Sequence, residues 1–402
     1  MKNVAIFNTC ISGSTGKIAV GLFNALNDRN IKAYFYYGRE DGPTQDGYCR
    51  IGNSLNKYLH AGIKKIAGLQ GYGSVIPTAF MLKDLDRKGI DTVYIVSLHG
   101  YYLNEKMLWR YIVEKNIQVV YLMIDEYAYL GSCGYSNGCE NYLNGCTECA
   151  ENRNNPLAKL LNGSAKTYQM KKDMYNACKK LTFVGPEYTL QQARKSPLLF
   201  DKQMVPSDEA VNTDFYVPRE TSNLRRRLGI EEDSFVCVCV APFSYERKGC
   251  KYFVELASRF VKDKDYKFVQ VGFNVNPKSI QLPDNYIPIG FLTDQNELAE
   301  FYSLGDIFVF PSLLDTMPNA CLEALSCGSP LLLFNISGMP YIADNSVATF
   351  VEPKNVDQME CVIRTKKRKS NEEILTCREY ALTRYNSRDY YKRLIEIAEQ
   401  SN

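Results

Sequence analysis

The chain has 402 residues, of which 45% are hydrophobic and 23% are charged, and its formal net charge is +3 at pH 7. The length exceeds what one hydrophobic core usually holds, so we expect two domains. The charge is too small to indicate a nucleic-acid partner, and no apolar run is long enough to predict a membrane span. The start, MKNVAIFNTC, predicts a first strand rather than a signal peptide. We therefore expect a cytoplasmic protein whose 14 cysteines stay reduced.

The first half of the chain alternates short apolar runs with helical patterns. Apolar residues at Ile18, Leu22, Phe23 and Leu26 recur at helical spacing. The predicted strands cover 4–7, 33–37, 93–97, 119–123 and 181–184, and the predicted helices cover 17–28 and 106–114. This alternation is typical of a parallel sheet with helices on both faces.

The alternation stops at 201–219 and then restarts. The second series has predicted strands at 235–240, 267–271, 286–289, 307–310, 330–334 and 348–351, and a helix at 249–261. The run at 235–240 is apolar almost throughout, which indicates a strand covered on both faces. We therefore predict one α/β domain at 1–205, a second at 206–380 and a terminal helix within 381–402.

Residues 311–330 are the most informative segment for function. They follow a predicted strand and turn into a short apolar helix whose one carboxylate is Glu323. The turn consists of Asp315, Thr316, Met317 and Pro318, with Asn319 as the predicted N-cap and Gly328 just past the helix end. Backbone N–H groups at a helix start bind phosphate well, and a carboxylate one turn later can accept hydrogen bonds from a ribose. The segment predicts a nucleotide-sugar site, although Glu323 could instead complement the helix dipole.

Asp315, seven intervening residues and Glu323 resemble the E-x7-E element of the family 4 glycosyltransferases, and Arg247-Lys248-Gly249 resembles the R-K-G element of their capsular and exopolysaccharide branch. The resemblance implies the GT-B fold, in which two Rossmann-like parallel-sheet domains face a central cleft and the last helix often crosses back to the first domain. It also implies retaining transfer from a nucleoside diphosphate sugar to a hydroxyl of a surface-glycan or lipid-linked acceptor. A UDP-sugar is favoured and a GDP-sugar is the alternative. No cofactor is expected to be required for catalysis.

The resemblance also assigns roles in the second domain. Two adjacent cations at a helix start are favourable when an anion lies there, so Arg247 and Lys248 are expected to stabilise the departing diphosphate. Solvated basic residues are the alternative. Asp315 is expected to contact hydroxyls of the transferred sugar. Gly290 and Leu292, at the end of another predicted strand, are expected to flank the base.

The loop after the first predicted strand contains Gly13 and Gly16 and leads into a helix. Small residues let a ligand approach the backbone, and the resemblance implies that this loop faces the donor diphosphate or the acceptor. A simple strand-to-helix turn is the alternative interpretation.

Two polar residues follow neighbouring predicted strands of the first half. His99 belongs to a histidine-glycine-tyrosine-tyrosine segment that also resembles the polysaccharide branch, and it lies where open α/β sheets bind ligands. Asp125 matches the aspartate of a histidine-aspartate pair that relatives usually carry, but the histidine position is Ile124. We therefore expect His99 and Asp125 to contribute to catalysis, with a structural role for His99 as the alternative.

Four cysteines, Cys133, Cys139, Cys146 and Cys149, lie within the insertion 133–149 and include one C-x-x-C pair. Such spacing is found in zinc sites, and the resembled branch carries a comparable insertion. The cysteines could hold a structural zinc or stay reduced and unliganded.

The basic run at 364–369, RTKKRK, is typical of a solvated helix end, and contact with an anionic membrane surface is the alternative. The protein could therefore lie at the inner face of the membrane. Two other functions remain open. One is a catalytically impaired nucleotide-sugar-binding partner protein, which Ile124 favours. The other is a GT-B sugar-nucleotide epimerase, which would need more acid–base side chains.

Overall fold

The structure is a computed structural model that describes residues 1–40, 42, 43, 45–149, 161–276 and 280–400. Contacts divide the chain into two compact units. Unit 1 comprises Met1–Asp208 with Arg388–Asn402, and unit 2 comprises Glu209–Ser387. No helix in the described part of the chain is long and apolar enough to cross a membrane.

Unit 1 is built on a seven-stranded parallel sheet with the strand order β3-β2-β1-β4-β5-β6-β7. The strands are β1 (Asn3–Phe7), β2 (Lys32–Tyr37), β3 (Tyr48–Arg50), β4 (Thr92–Ile95), β5 (Gln118–Leu122), β6 (Leu181–Gly185) and β7 (Gln203–Pro206). The helices are α1 (Gly13–Asp28), α2 (Ser54–Ala67), α3 (Val75–Lys88), α4 (Glu105–Lys115), α5 (Gly163–Ala177) and α6 (Glu187–Lys195). The central strands β4 and β5 are buried along their whole length, as expected when helices cover both faces of a sheet.

Unit 2 is built on a six-stranded parallel sheet with the order β10-β9-β8-β11-β12-β13. The strands are β8 (Phe235–Val240), β9 (Tyr266–Val271), β10 (Tyr286–Ile289), β11 (Ile307–Phe310), β12 (Leu331–Phe334) and β13 (Ala348–Val351). The helices are α7 (Ser222–Leu228), α8 (Cys250–Arg259), α9 (Gln295–Leu304), α10 (Asn319–Ser326), α11 (Val356–Thr365) and α12 (Asn371–Arg384). Strands β8 and β11 are neighbours, so the loops that follow them lie side by side.

The last helix, α13 (Ser387–Gln400), packs within unit 1. Its backbone carbonyls accept hydrogen bonds from the sheet, with Tyr94 donating to Leu394 at 3.0 Å and Gln118 donating to Ala398. The observed units therefore run over 1–208 with 388–402 and over 209–387, whereas the predicted boundaries were 1–205, 206–380 and 381–402.

The predicted α/β class, with two Rossmann-like parallel sheets, is confirmed. Helix α1 begins at Gly13, four residues before the predicted start at Lys17. The basic run 364–369 lies at the end of α11, and Arg364, Lys367 and Arg368 are exposed. Arg364 pairs with Asp263 and Glu360, and Lys369 Nζ donates to Ser303 O at 2.7 Å. Burial lowers the pKa of Lys369 to about 8.

Candidate functional site

The loops after β8 and β11 bring the predicted cations and Asp315 together in unit 2. Arg247 and Lys248 lie in a short 3-10 turn, Glu246–Lys248, which ends at Gly249 with φ of 68°. A Cβ atom at Gly249 would lie 1.9 Å from the carbonyl oxygen of Pro311. Only glycine therefore allows both the positive φ and this close approach of the two loops.

Asp315 is the acceptor at the centre of this cluster and is only 4% exposed. Arg247 Nη1 lies 2.7 Å from Asp315 Oδ1, and Lys248 Nζ lies 3.0 Å from both carboxylate oxygens. Ser312 Oγ donates to Asp315 Oδ2 at 2.6 Å. Burial alone would raise the pKa of Asp315, but the charges of Lys248 and Arg247 outweigh it and hold that pKa below its usual value. The carboxylate therefore stays ionised and fixes both cations beside the start of α10.

The start of α10 differs in detail from the prediction. Pro318 is the N-cap residue, and Asn319, predicted as N-cap, is the first helical residue. Asn319 Oδ1 is buried and has no hydrogen-bond partner among the described residues. Thr316 and Met317 are buried beside it. A buried polar atom without a partner is costly, so the Asn319 side chain leaves one unsatisfied acceptor at the start of α10.

A second loop closes against the 315–318 turn. Gly338 N donates to Asp315 O at 3.0 Å, and Ser337 Oγ donates to the same oxygen at 2.9 Å. A Cβ atom at Gly338 would lie 1.8 Å from Thr316 O. The turn that carries Asp315 is thus held by backbone contacts that depend on a glycine.

Glu323 lies one turn into α10 and is 5% exposed. Its Oε2 accepts a hydrogen bond from the Tyr302 hydroxyl at 2.7 Å. Burial raises the pKa of Tyr216, and the neighbouring Glu323 raises it further. Glu323 therefore has protein partners, and its contact with a ribose stays a prediction.

The prediction of Gly328 just past the helix end is confirmed by its φ of 80°.

Gly290 and Leu292 follow β10, which lies at the edge of the sheet rather than beside β11. Gly290 is exposed, and a Cβ atom there would have no neighbour within 4 Å. The steric need that makes Gly249 and Gly338 obligatory is absent at Gly290. Its predicted place beside the base stays a prediction.

In unit 1, His99 and Asp125 form a pair. His99 Nε2 lies 2.7 Å from Asp125 Oδ2, and the His99 side chain is 38% exposed. Burial alone would lower the pKa of His99, but the charge and hydrogen bond of Asp125 outweigh it, and the pKa is raised. Ile124, where the resemblance predicts a histidine, is 8% exposed. The accessible imidazole of this region therefore comes from the loop after β4.

A buried network that sequence patterns did not reveal holds the Asp125 loop. Tyr127 N donates to Asp125 Oδ1 at 2.9 Å, and the Tyr127 hydroxyl donates to Glu105 Oε1 at 2.5 Å. Lys171 Nζ donates to Tyr127 O at 2.6 Å and lies 3.3 Å from the centre of the Tyr127 ring. Burial lowers the pKa of Lys171 to about 8. Glu105 and Lys171 come from α4 and α5, and no short motif joins them.

The Gly13 and Gly16 loop carries an acidic partner. Glu40 Oε2 accepts hydrogen bonds from the backbone amides of Ile11 and Ser12, each at 2.9 Å. Burial alone would raise the pKa of Glu40, but its hydrogen bonds with Ser12 and Ile11 lower it. A Cβ atom at Gly16 would lie 2.1 Å from Ile11 O, so this glycine is required by the turn itself. The Glu40 carboxylate thus occupies the amides of Ile11 and Ser12, and the predicted contact of Gly13 and Gly16 with the donor or acceptor stays a prediction.

The four cysteines of the insertion are free thiols, each partly buried. Among the described residues, which include all four, no group of three or more His, Cys, Asp or Glu side chains could hold a metal ion. Burial raises the pKa of the Cys146 thiol to about 11. The Cys149 and Cys139 thiols raise that pKa further, so they lie near Cys146. Zinc binding by Cys133, Cys139, Cys146 and Cys149 stays a prediction.

The fold and the domain family follow from comparison with known proteins. Sucrose-phosphate synthase from Thermosynechococcus elongatus superposes with a TM-score of 0.70 at 12% identity, covering 100% of this chain and 99% of that one. The chain thus has the GT-B fold. Residues 234–365 match the family model described as "Glycosyl transferases group 1". Unit 2, which contains the Asp315 cluster, therefore carries a group 1 glycosyltransferase domain.

Two curated relatives share parts of the sequence. The putative colanic acid biosynthesis glycosyl transferase WcaC of Escherichia coli K12 is 23% identical over 279 residues, 65% of this chain and 64% of the relative. UDP-Gal:alpha-D-GlcNAc-diphosphoundecaprenol alpha-1,3-galactosyltransferase of Escherichia coli is 29% identical over 143 residues, 32% of this chain and 36% of the relative. The chain thus spans about a third of one relative and just under two thirds of the other.

Proposed function

We propose that the chain is a retaining glycosyltransferase of family 4, in its capsular and exopolysaccharide branch. It would transfer a sugar from a nucleoside diphosphate sugar, a UDP-sugar in preference to a GDP-sugar, to a hydroxyl of a surface-glycan or lipid-linked acceptor. The observation that carries the proposal is the cluster of Arg247, Lys248 and Asp315 beside the start of α10, inside a group 1 glycosyltransferase domain.

The cluster supports electrostatic assistance to a departing diphosphate. Arg247 and Lys248 supply two positive charges at a fixed place, and the start of α10 adds the positive end of a helix dipole. In the proposed step the bond between the anomeric carbon and the diphosphate oxygen breaks, and the acceptor oxygen bonds to that carbon on the same face. The acceptor proton passes to the leaving phosphate oxygen, so we propose that no metal or cofactor is required.

The His99–Asp125 pair of unit 1 supports a second role. We assign to His99 a polar contact with the sugar substrates, in place of the histidine that Ile124 replaces. Asp125 orients the imidazole through the 2.7 Å contact, and Tyr127 holds Asp125 through its backbone N–H. His99 would therefore touch substrate, and Asp125 would position it.

The names of the relatives support the donor and acceptor classes. One relative is named for a UDP-linked galactose donor and a diphosphoundecaprenol acceptor, and another for colanic acid biosynthesis. By analogy we propose a cytoplasmic enzyme that works at the inner face of the membrane on a lipid-linked or growing glycan. Its partners would be the nucleotide sugar and that acceptor.

The test is the release of nucleoside diphosphate and the transfer of sugar by the wild type and two lysine variants. Lys248→Ala should lower the transfer rate about 100-fold, the effect of removing one donor that stabilises developing charge. Lys251→Ala changes the same charge three residues away, where Lys251 is exposed and lies over Tyr252, and should have little effect. Equal losses in both variants would contradict a specific role for Lys248.

A nucleotide-sugar-binding protein with impaired catalysis is the second candidate, because a buried Ile124 stands where the resemblance predicts a histidine. That protein would bind a donor sugar with the same cluster but would release no sugar above background. Wild-type turnover that depends on Lys248 would exclude it.

A further inference from the structure

The segment 127–130, which follows the Asp125 loop, is buried although it belongs to no helix or strand. A buried backbone outside regular structure needs other partners for its polar groups. All four carbonyl oxygens of the segment accept hydrogen bonds from side chains of other elements. The donors are Lys171 Nζ to Tyr127 O at 2.6 Å and to Leu130 O at 3.0 Å, the Tyr175 hydroxyl to Ala128 O at 3.3 Å, and Ser196 Oγ to Tyr129 O at 3.0 Å.

Lys171 is the charged member of these three donors and the one that joins the two ends of the segment. Its side chain is fully buried, and its ammonium group bonds to the first carbonyl, on Tyr127, and to the last, on Leu130. The same ammonium group lies 3.3 Å from the centre of the Tyr127 ring. Hydrogen bonds from a charged donor are roughly twice as strong as those from a neutral one. Lys171 therefore clamps the turn 127–130 more firmly than a neutral side chain could.

Tyr127 carries the effect of this clamp to the His99–Asp125 pair. Its backbone N–H donates to Asp125 Oδ1 at 2.9 Å, and Asp125 Oδ2 lies 2.7 Å from His99 Nε2. The Tyr127 ring also packs against the imidazole, with 5.2 Å between the two ring centres. A shift of the Tyr127 backbone would therefore move both the carboxylate that holds His99 and the ring beside it.

We propose that Lys171 is a positioning residue for His99, which it serves by clamping the turn 127–130 and thereby holding Asp125 at the imidazole. Lys171 touches no substrate, because its side chain is fully buried. Its role in transfer rests on the proposed function, since that role requires His99 to contact the sugar substrates. The placement of Asp125 is a property of the folded chain, however, and can be measured without any substrate.

The pKa of His99 reports this placement, because positioning and direct charge act on it in opposite directions. The charged groups that face His99 are Asp125, Glu105 of α4 and Lys171 of α5. Asp125 and Glu105 raise the pKa of His99, whereas the charge of Lys171 lowers it. Loss of the Lys171 charge alone would therefore raise this pKa. Loss of the clamp would lower it, because Asp125 would no longer be held at the ring.

The experiment is an NMR titration of the full chain labelled at histidine. The chain has two histidines, and burial lowers the pKa of His60 to about 4, so His60 serves as an internal reference. Lys171→Met should lower the pKa of His99 and leave that of His60 unchanged. Lys166→Met is the matched control, because Lys166 lies on the same helix but is exposed, and it should leave both pKa values unchanged.

A second background tests whether Lys171 acts through Asp125. Asp125→Asn should lower the pKa of His99 by itself, and adding Lys171→Met to it should lower that pKa no further. A fall of the same size in both backgrounds would overturn the proposal, because Lys171 would then act without Asp125. An unchanged or raised His99 pKa in Lys171→Met alone would also overturn it. If circular dichroism shows that Lys171→Met is unfolded, Lys171→Gln, which keeps an N–H donor without the charge, is measured in the same two backgrounds against the same expectations.

The transfer reaction supplies a separate readout. Lys171→Met should lower kcat about tenfold to a hundredfold, since a small misplacement of a group at the reacting centre has effects of that size. KM for the nucleotide sugar should stay the same, because the donor cluster belongs to unit 2. A raised KM with an unchanged kcat would contradict the positioning of His99. If the wild type transfers no sugar, the proposed function fails, whereas the titration still decides whether Lys171 positions the His99–Asp125 pair.

Discussion

Asp315 is the side chain that holds Arg247 and Lys248 together, and Asp315→Asn is the sharpest perturbation of this cluster. The substitution keeps the shape of the side chain and removes its charge. Arg247 and Lys248, now 2.7 and 3.0 Å from the carboxylate oxygens, would lose their shared counter-ion. The variant should therefore unfold more easily, and it should gain more stability from UDP than the wild type does, because the diphosphate would supply the missing negative charge.

The size of the effect follows from burial. Removing one partner of a buried ion pair costs about 3–5 kcal/mol. The side chains of Arg247 and Lys248 keep 22% and 14% exposure, so they can turn partly toward water. We therefore expect the Asp315→Asn variant to lose about 3 kcal/mol of its free energy of unfolding, the lower end of that range. For a domain of the size of unit 2 this corresponds to a fall in Tm of about 6–12 °C.

The assay is thermal unfolding with and without UDP, and the chain offers a matched control. Asp306 is 3% exposed in the same unit and also faces two cations, Arg225 at 3.6 Å and Arg368 at 3.7 Å. Asp306→Asn should lower the Tm as well, but UDP should stabilise it no more than it stabilises the wild type. An Asp315→Asn variant as stable as the wild type, or equal UDP responses of the two variants, would refute the reasoning.

Three further results are expected. His99→Gln should lower the transfer rate and should also remove a pH-dependent part of stability. Because the His99 pKa is raised in the folded state, its attraction to Asp125 is fully present below about pH 6.5, the usual histidine value, and is lost as the pH rises through the folded pKa. The Tm difference between wild type and variant should shrink over that range, and a constant difference would argue against the charged pair. Glu323→Gln should weaken UDP binding by about tenfold to a hundredfold if the carboxylate holds the ribose. Tyr302→Phe is the control, because it keeps the Glu323 carboxylate and removes only a hydroxyl partner. Calorimetric titration with UDP would measure the three affinities. If the wild type, Glu323→Gln and Tyr302→Phe bind UDP equally well, Glu323 does not hold the ribose. Metal analysis of the purified chain should find no stoichiometric zinc, and one zinc per chain would mean that Cys146 and its neighbours gather around the ion when it binds.

The architecture was largely predictable, because buried parallel strands are continuous apolar runs that end at polar loops. Strands β8, β10, β11 and β13 have the predicted bounds. The edge strands β3 and β7 escaped prediction because they are short and only partly buried, and their residues therefore lack a clear apolar run. Helix α2 was not predicted either, although its apolar residues recur at helical spacing.

The site was predictable where the sequence keeps residues together. Arg247 and Lys248 are adjacent, and Asp315 lies on the loop after the neighbouring strand, so the topology brings them into contact. The partners Glu105 and Lys171 could not be found in this way, because two separate helices supply them. Likewise, the occupation of the Gly13 loop by Glu40 depends on a side chain that follows a different strand.

The most direct test of the account is a panel of UDP- and GDP-sugars, each compared with its free nucleoside diphosphate, in which Tm and sugar release are measured on the same protein. The account predicts that one donor, a UDP-sugar, raises the Tm of the wild type and is slowly hydrolysed, and that Lys248→Ala slows the hydrolysis about 100-fold. If no donor raises the Tm and none is hydrolysed, the Asp315 cluster is not a nucleotide-sugar site, and the proposed transfer reaction is wrong.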